Sequence, residues 1–144
     1  MQTARSIAKE SDRDFIWSAY SSAYQEVVER QFGVWGIRLQ KSAFGEKWRQ
    51  DGFEIMASNG IYSGGLWITS EEGFIQLRDI FLAPEYQGQG IGTQVVREEL
   101  KKARAANMPL RLRVLKQSYA IALYERLGFT RCGETPTQYW MEAS

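Results

Sequence analysis

The sequence predicts a mixed α/β fold, a mostly antiparallel sheet with helices on its faces. Three observations carry that expectation. Apolar residues recur at helical spacing in two blocks before residue 50 and two after residue 90. Between residues 53 and 82 the period falls to that of strands. Glycine, asparagine and proline sit between the blocks, where turns are needed.

The elements follow in order. Arg5 to Ala8 reads as a short opening strand. Ser11 and Asp12 then offer an N-cap, with Asp14 three residues after Ser11 in capping-box spacing. Phe15, Ile16, Ala19, Tyr20, Ala23, Tyr24 and Val27 give a first helix one apolar face. A second, less regular helix runs from about Ile37 to Arg49. Phe53–Ala57, Gly65–Thr69 and Phe74–Leu82 read as an antiparallel meander, joined by Ser58-Asn59-Gly60 and Ser70-Glu71-Glu72-Gly73. Pro84 stops the third strand. A helix from about Gly90 to Ala106 carries Ile91, Val95, Val96, Leu100 and Ala103 on one side. In Leu110–Leu115, apolar residues alternate with Arg111 and Arg113, which is a strand pattern. A helix from Ser118 to Leu127 is stopped by Gly128, and Phe129–Glu142 has room for a closing hairpin around Thr135-Pro136.

Length and composition narrow the class. The 144 residues fit one domain, 1–144, and suffice to bury a sizeable core. A formal charge of +1, with both signs interspersed, argues against nucleic acid as a partner. No apolar stretch approaches a membrane span, and Met1 to Lys9 lacks the apolar core of a signal peptide, so a cytoplasmic address is the expectation. The single cysteine, Cys132, excludes an internal disulfide and reads as a passive, partly buried thiol. The chain has no histidine. That removes Ser-His-Asp and Cys-His catalysis and the commonest zinc ligand sets, and no metal is expected. Acid–base chemistry here must use carboxylates, tyrosine, lysine, backbone or water.

Gln87-Gly88-Gln89-Gly90-Ile91-Gly92 is the most informative stretch. Alternate glycines just before a helix let backbone N–H groups approach a ligand closely. The first helical turn adds unsatisfied donors and the positive end of the dipole, which together make an anion site. Thr93 can add a hydroxyl donor. A Walker A loop requires a lysine that is missing here, and a dinucleotide fingerprint requires a glycine where Thr93 stands. A glycine-rich connector serving only chain geometry is the plain alternative. Downstream, Ser118-Tyr119-Ala120-Ile121-Ala122-Leu123-Tyr124-Glu125-Arg126-Leu127-Gly128-Phe129 reads, taken alone, as an amphipathic helix with a glycine cap.

In their order and spacing these two stretches closely resemble the hallmarks of the GNAT superfamily of N-acyltransferases. Gln87, Gly90 and Gly92 fill the defining positions of its Arg/Gln-x-x-Gly-x-Gly/Ala signature, and Leu123-Tyr124 with Gly128-Phe129 matches its second motif. The resemblance covers roughly residues 74 to 130. It implies a GNAT-like sheet with a V-shaped splay between two central parallel strands, and acetyl-CoA as co-substrate. It assigns pyrophosphate contacts to Gln87, Gly88, Gln89, Gly90, Ile91, Gly92 and Thr93, and pantetheine contacts to the backbone of Phe81 and Leu82. It makes Tyr124 the general acid for the departing thiolate, a role suited to a phenol that is neutral at pH 7. The family commonly has asparagine where Ser118 stands, which implies a weaker or water-mediated cofactor contact there. The implied reaction is acetyl transfer to a primary amine, such as that of a small molecule. A non-catalytic CoA-binding sensor or assembly module is the other reading.

For the base, Asp79 is the first candidate. In simple alternation it shares a face with Ile75, Leu77 and Phe81 near the reacting end. An ion pair with an arginine such as Arg78 or Arg113, or a bulge that turns Asp79 to solvent, is the alternative. Glu29 and Glu26 are carboxylates that can attract a cationic amine. Trp17, Tyr20, Tyr24, Phe32, Trp35 and Trp48 crowd the N-terminal region as core or as acceptor pocket, with Tyr24 and Trp35 the pocket candidates. Gln138-Tyr139-Trp140-Met141 reads as a final strand offering an edge for a homodimer.

Overall fold

A computed structural model describes residues 3–144. The elements are β1 (Thr3–Ile7), α1 (Arg13–Phe32), α2 (Ile37–Trp48), β2 (Phe53–Ser58), β3 (Ile61–Glu71), β4 (Phe74–Leu82), α3 (Ile91–Ala105), β5 (Leu110–Leu115), α4 (Ala120–Arg126), β6 (Thr130–Glu134) and β7 (Gln138–Ala143). The seven strands form one sheet in the order β1-β2-β3-β4-β5-β7-β6. Pairing is antiparallel for β1–β2, β2–β3, β5–β7 and β6–β7, and parallel for β4–β5. The parallel ladder pairs Ile75–Leu77 with Leu110–Leu112, while β4 continues to Leu82 and β5 to Leu115. This is the mixed, mostly antiparallel sheet with flanking helices that the sequence predicts.

By backbone contact the chain forms two compact units: Met1–Trp67 with Asp79–Ile91, and Ile68–Arg78 with Gly92–Ser144. In the first, α1 and α2 bury Ile16, Ala19, Tyr20, Phe44 and Trp48 against Phe53, Ile55, Trp67, Phe81 and Ala83. Much of this core is aromatic: Phe53 lies 5.4 Å from Trp67 and 5.9 Å from Phe81, and Tyr20 meets Phe81 edge-on at 5.5 Å. Burial of such rings contributes about 2–3 kcal/mol each. The predicted capping box at Ser11 is replaced by a 3₁₀ turn over Glu10–Asp12, because the buried Asp12 carboxylate accepts the Lys9 N–H at 2.8 Å.

Two glycines let β3 and β4 come together. A Cβ on Gly64 would overlap the Phe81 carbonyl oxygen, and one on Gly65 would overlap the Phe81 ring. The Phe81 carbonyl thus points at β3, and the Ala83 N–H donates to the Ser63 carbonyl at 2.8 Å on the same side. Ile75 has the same parity, yet its N–H donates the other way, to Pro109 at the start of β5 (3.0 Å). Residues two apart in a regular strand face the same neighbour, so the alternation of β4 slips by one residue between Ile75 and Phe81. Simple alternation along this strand therefore fails, although Asp79 still lies inward, 6% exposed.

In the second unit, α4 ends in a Schellman closure. The Phe129 N–H donates to the Tyr124 carbonyl (3.0 Å) and the Gly128 N–H to the Glu125 carbonyl (3.1 Å), with Gly128 at φ 99°. The rings of Tyr124 and Phe129 then pack edge-on at 5.6 Å. Thr135 closes the last hairpin, its hydroxyl accepting the Gln138 N–H at 3.0 Å. Two readings need correcting. Strand β7 lies between β5 and β6, so Gln138–Met141 offers no free edge; the edge belongs to β6. Cys132, on β6, is exposed and not partly buried.

Gly64→Ala should cost about 2 kcal/mol or more through overpacking, lowering Tm by about 5 °C or more in thermal denaturation. Gly128→Ala should cost about 1–2 kcal/mol, because alanine in the left-handed region is strained. Its circular-dichroism melt should shift down with a retained folded spectrum.

Candidate active site

Backbone conformation decides what the glycine loop can hold. Gly88 and Gly90 have φ of 74° and 81°, while Gln89 between them is not among the residues of positive φ. Alternating signs of φ turn successive N–H groups toward one side and form a concave nest for an anion. A Cβ on either glycine would meet nothing within 4 Å, so conformation rather than space demands glycine there. The exposed loop runs directly into α3 at Ile91, with Gly92 and Thr93 half-buried in the first turn. A nest running into a helix start is the kind of backbone that can accept an anion.

The loop is braced from within. Gln87 donates through Nε2 to the Leu82 carbonyl (2.8 Å) and through its N–H to Pro84 (3.3 Å), and Gln89 Nε2 donates to Glu85 (2.7 Å). In this conformation Gln87 holds the turn. Of Phe81 and Leu82, only Leu82 turns its backbone away from β3, since a residue's N–H and C=O share one side of a strand.

At the end of β4, Asp79 is buried and ion-paired. Lys47 Nζ, from α2, lies 3.2 and 3.1 Å from its two oxygens. The Tyr24 hydroxyl, from α1, is shared between Asp79 Oδ1 and the Ile80 carbonyl, each at 3.2 Å. Lys47 also donates to the Tyr20 hydroxyl at 2.9 Å and stands 4.9 Å from that ring's centroid. Burial opposes the Lys47 ammonium, yet Asp79, Tyr20 and their hydrogen bonds outweigh it, and its pKa lies above the ordinary lysine value. Burial first, then the charge of Asp79, push the Tyr20 phenol up, with Lys47 opposing. Lys47 is therefore an ammonium and Tyr20 a neutral phenol at pH 7.

Asp79 forms its ion pair with a lysine, Lys47. Arg78 bonds Thr69 and Glu71, both at 2.9 Å, and the Arg113 guanidinium stands 5.1 Å from the Trp140 ring. Lys47 carried no motif; its one signal is a cation between Phe44 and Trp48, two residues of the buried face of α2. Gly64-Gly65 was equally unmarked, although paired glycines inside a strand pattern signal a close approach.

Of the pocket candidates, Tyr24 is half-buried, with its hydroxyl engaged at β4. Trp35 is buried 6.4 Å from Trp17 within the aromatic core. Glu29 is exposed, accepts from Gln25 at 2.6 Å, and stands off the Tyr20–Tyr24–Val28 row. Glu26 pairs with Arg30 at 3.2 Å.

In the second unit Tyr124 is half-buried on the last turn of α4, its carbonyl and ring held by the closure at Gly128 and Phe129. This explains the Tyr-x-x-x-Gly-Phe spacing. The helix end needs a left-handed residue four positions after the tyrosine and an apolar one five after. The Ser118 hydroxyl accepts the Ala120 N–H at 3.1 Å and braces the start of α4. Among the described residues, no group of three or more cysteine, aspartate or glutamate side chains is placed to hold a metal ion. No described helix is long and apolar enough to cross a membrane.

The family model of the acetyltransferase (GNAT) domain matches residues 50–131, from the turn before β2 into β6. No curated relative matches the chain in sequence. Solved structures do match in fold. A GCN5-related N-acetyltransferase from Rhodopseudomonas palustris superposes with a TM-score of 0.74 at 15% identity, over 100% of this chain and 96% of that one. PH1933 from Pyrococcus horikoshii OT3 gives 0.71 at 21% identity, over 99% and 98%. The PaiA N-acetyltransferase from Thermoplasma acidophilum, solved in complex with coenzyme A, gives 0.67 at 16% identity, over 100% and 99%. With more than half of its residues inside the family model and a fold to match, the chain belongs to the GNAT acetyltransferases and is an acyl-CoA-dependent enzyme.

Proposed function

We propose that this chain, working as one domain over residues 1–144, moves an acetyl group from acetyl-CoA to a primary amine of a small molecule. The observation that carries this reading is the nest at Gly88–Gly90 opening onto α3, which suits a diphosphate. In this reading the N–H groups from Gly88 to Thr93 hold the CoA pyrophosphate, and Leu82, turned away from β3, meets the pantetheine arm. Ser118 has its hydroxyl engaged at α4 and contributes at most through water.

The amine attacks as the neutral base. Its nitrogen forms a bond to the acyl carbon, the carbon–sulfur bond breaks, and the departing thiolate takes a proton from the Tyr124 hydroxyl. A backbone N–H at the end of β4 supports the carbonyl oxygen as charge builds on it. The amine's own proton leaves through water. Asp79 is already ion-paired with Lys47, so we give it a positioning part and not that of the base. Glu29, exposed on α1, is the carboxylate we assign to drawing in a cationic amine. Tyr24 lines the acceptor side, and Trp35 forms the wall behind it.

Acetyl-CoA at about one hundred times its Kd should stabilise the fold by about 2.7 kcal/mol; differential scanning fluorimetry reads this as a rise in Tm. No shift would remove the ligand assignment, and calorimetry with ATP in parallel tests for a nucleotide site. Tyr124→Phe should lower kcat about a hundredfold in a thiol-release assay over a panel of primary amines, with acetyl-CoA affinity preserved. Unchanged turnover would give the acid role to water. Tight acetyl-CoA binding with no thiol release from any amine would make the chain a binding module.

A further inference from the structure

We propose that Lys47 is a positioning residue for acyl transfer: its ammonium, bound to Asp79 and Tyr20, fixes the last residues of β4 from the helix side. The inference rests on the acyl-transfer reading above. Residues 79–82 lie beyond the parallel ladder, which ends at Leu77, and so lack that ladder's hold on the strand. Other contacts replace it. The Phe81 carbonyl rests against Gly64, Gln87 grips the Leu82 carbonyl, and the Tyr24 hydroxyl is shared by Asp79 and the Ile80 carbonyl. Lys47 sets the geometry of the last of these. Bonded to both oxygens of Asp79, it fixes the carboxylate's rotation and thereby where the Tyr24 hydroxyl sits.

Stability alone does not account for the pair. A lysine–aspartate pair with its carboxylate buried and its lysine half-buried contributes little over a well-packed apolar pair of the same volume. What it adds is direction: the carboxylate is held in one orientation, with a phenol donor beside it and a backbone carbonyl sharing that phenol. Tyr24 from α1 and Lys47 from α2 bond the carboxylate directly, and Tyr20 from α1 joins them through Lys47. A displacement of about 1 Å at a reacting centre costs about a hundredfold in rate, so a hold on the end of β4 bears on turnover.

The test compares Lys47→Met, Lys47→Arg, Tyr24→Phe and Asp79→Asn with the native chain, first by amide hydrogen exchange. In Lys47→Met, protection at Phe81 and Ala83, whose N–H groups face β3, should fall about tenfold, while Ile75 and Leu77 in the parallel ladder keep theirs. Lys47→Arg should restore most of the protection. Turnover with acetyl-CoA and the fastest amine of the panel should drop about thirtyfold in Lys47→Met, with the KM for acetyl-CoA changed less than about threefold. The Lys47→Met/Asp79→Asn double variant should be no slower than the slower single variant, as expected of groups acting together. Uniform loss of protection along β4, or native kcat in folded Lys47→Met, would overturn the proposal. So would Asp79→Asn far slower than Lys47→Met, since Asp79 would then be the base. If Lys47→Met does not fold, Tyr24→Phe, which removes only the shared hydroxyl, must show the same local loss. The exchange readout needs no acceptor, so a native chain that transfers nothing would refute the acyl-transfer reading and leave this result separately legible.

Discussion

The carbonyl of Phe81 set against the bare Cα of Gly64 is the contact on which the first unit depends. It brings β4 close enough to β3 for the Phe81 ring to lie over Gly65, beside Ile16 of α1. That ring is the meeting point of Tyr20, Tyr24 and Phe53, so the aromatic core assembles around it. A side chain at residue 64 would push the strand away and take the ring with it. The polar cluster at Asp79 then becomes possible, because α1 and α2 are already seated two residues from Phe81 along the strand. Packing sets the frame, and the ion pair sets direction within it.

The absence of histidine shapes the chemistry. The chain lacks the one side chain whose ordinary pKa lies close to neutrality. At the site, Lys47 and Tyr20 both have raised pKa values, and both keep their protons through the physiological range. Donors that do not titrate near pH 7, namely backbone N–H groups and phenols, carry the remaining burden.

Much of this was legible in the sequence, because much of it is local. Turn glycines, the helical run from Ile91 and the Tyr124 helix with its glycine stop are encoded within a few residues, and the structure places them where the spacing does. The Gln87–Thr93 loop is local too, since positive φ at alternate glycines suffices to make it. What escaped depends on partners distant in the chain. Lys47 meets Asp79 across 32 residues, and nothing near either one announces the other. The slip in β4 arises because one strand must serve β3 at its end and β5 at its start. The closing strand β7 pairs first with β5 and only then with β6, an order no hairpin signal contains. Asp79 shows the mixture: its inward face is legible in the pattern, its partner is not.

The position of Cys132 has a practical side. The one thiol of the chain stands exposed on the outermost strand, where a small reagent meets it unhindered. Any colorimetric titration of liberated coenzyme therefore carries a constant background of one equivalent per protein molecule, which replacement by serine would remove. The same thiol is a ready single attachment point for a fluorophore or spin label, on an edge remote in sequence from the glycine loop, from which motions of the closing hairpin can be followed while the enzyme works.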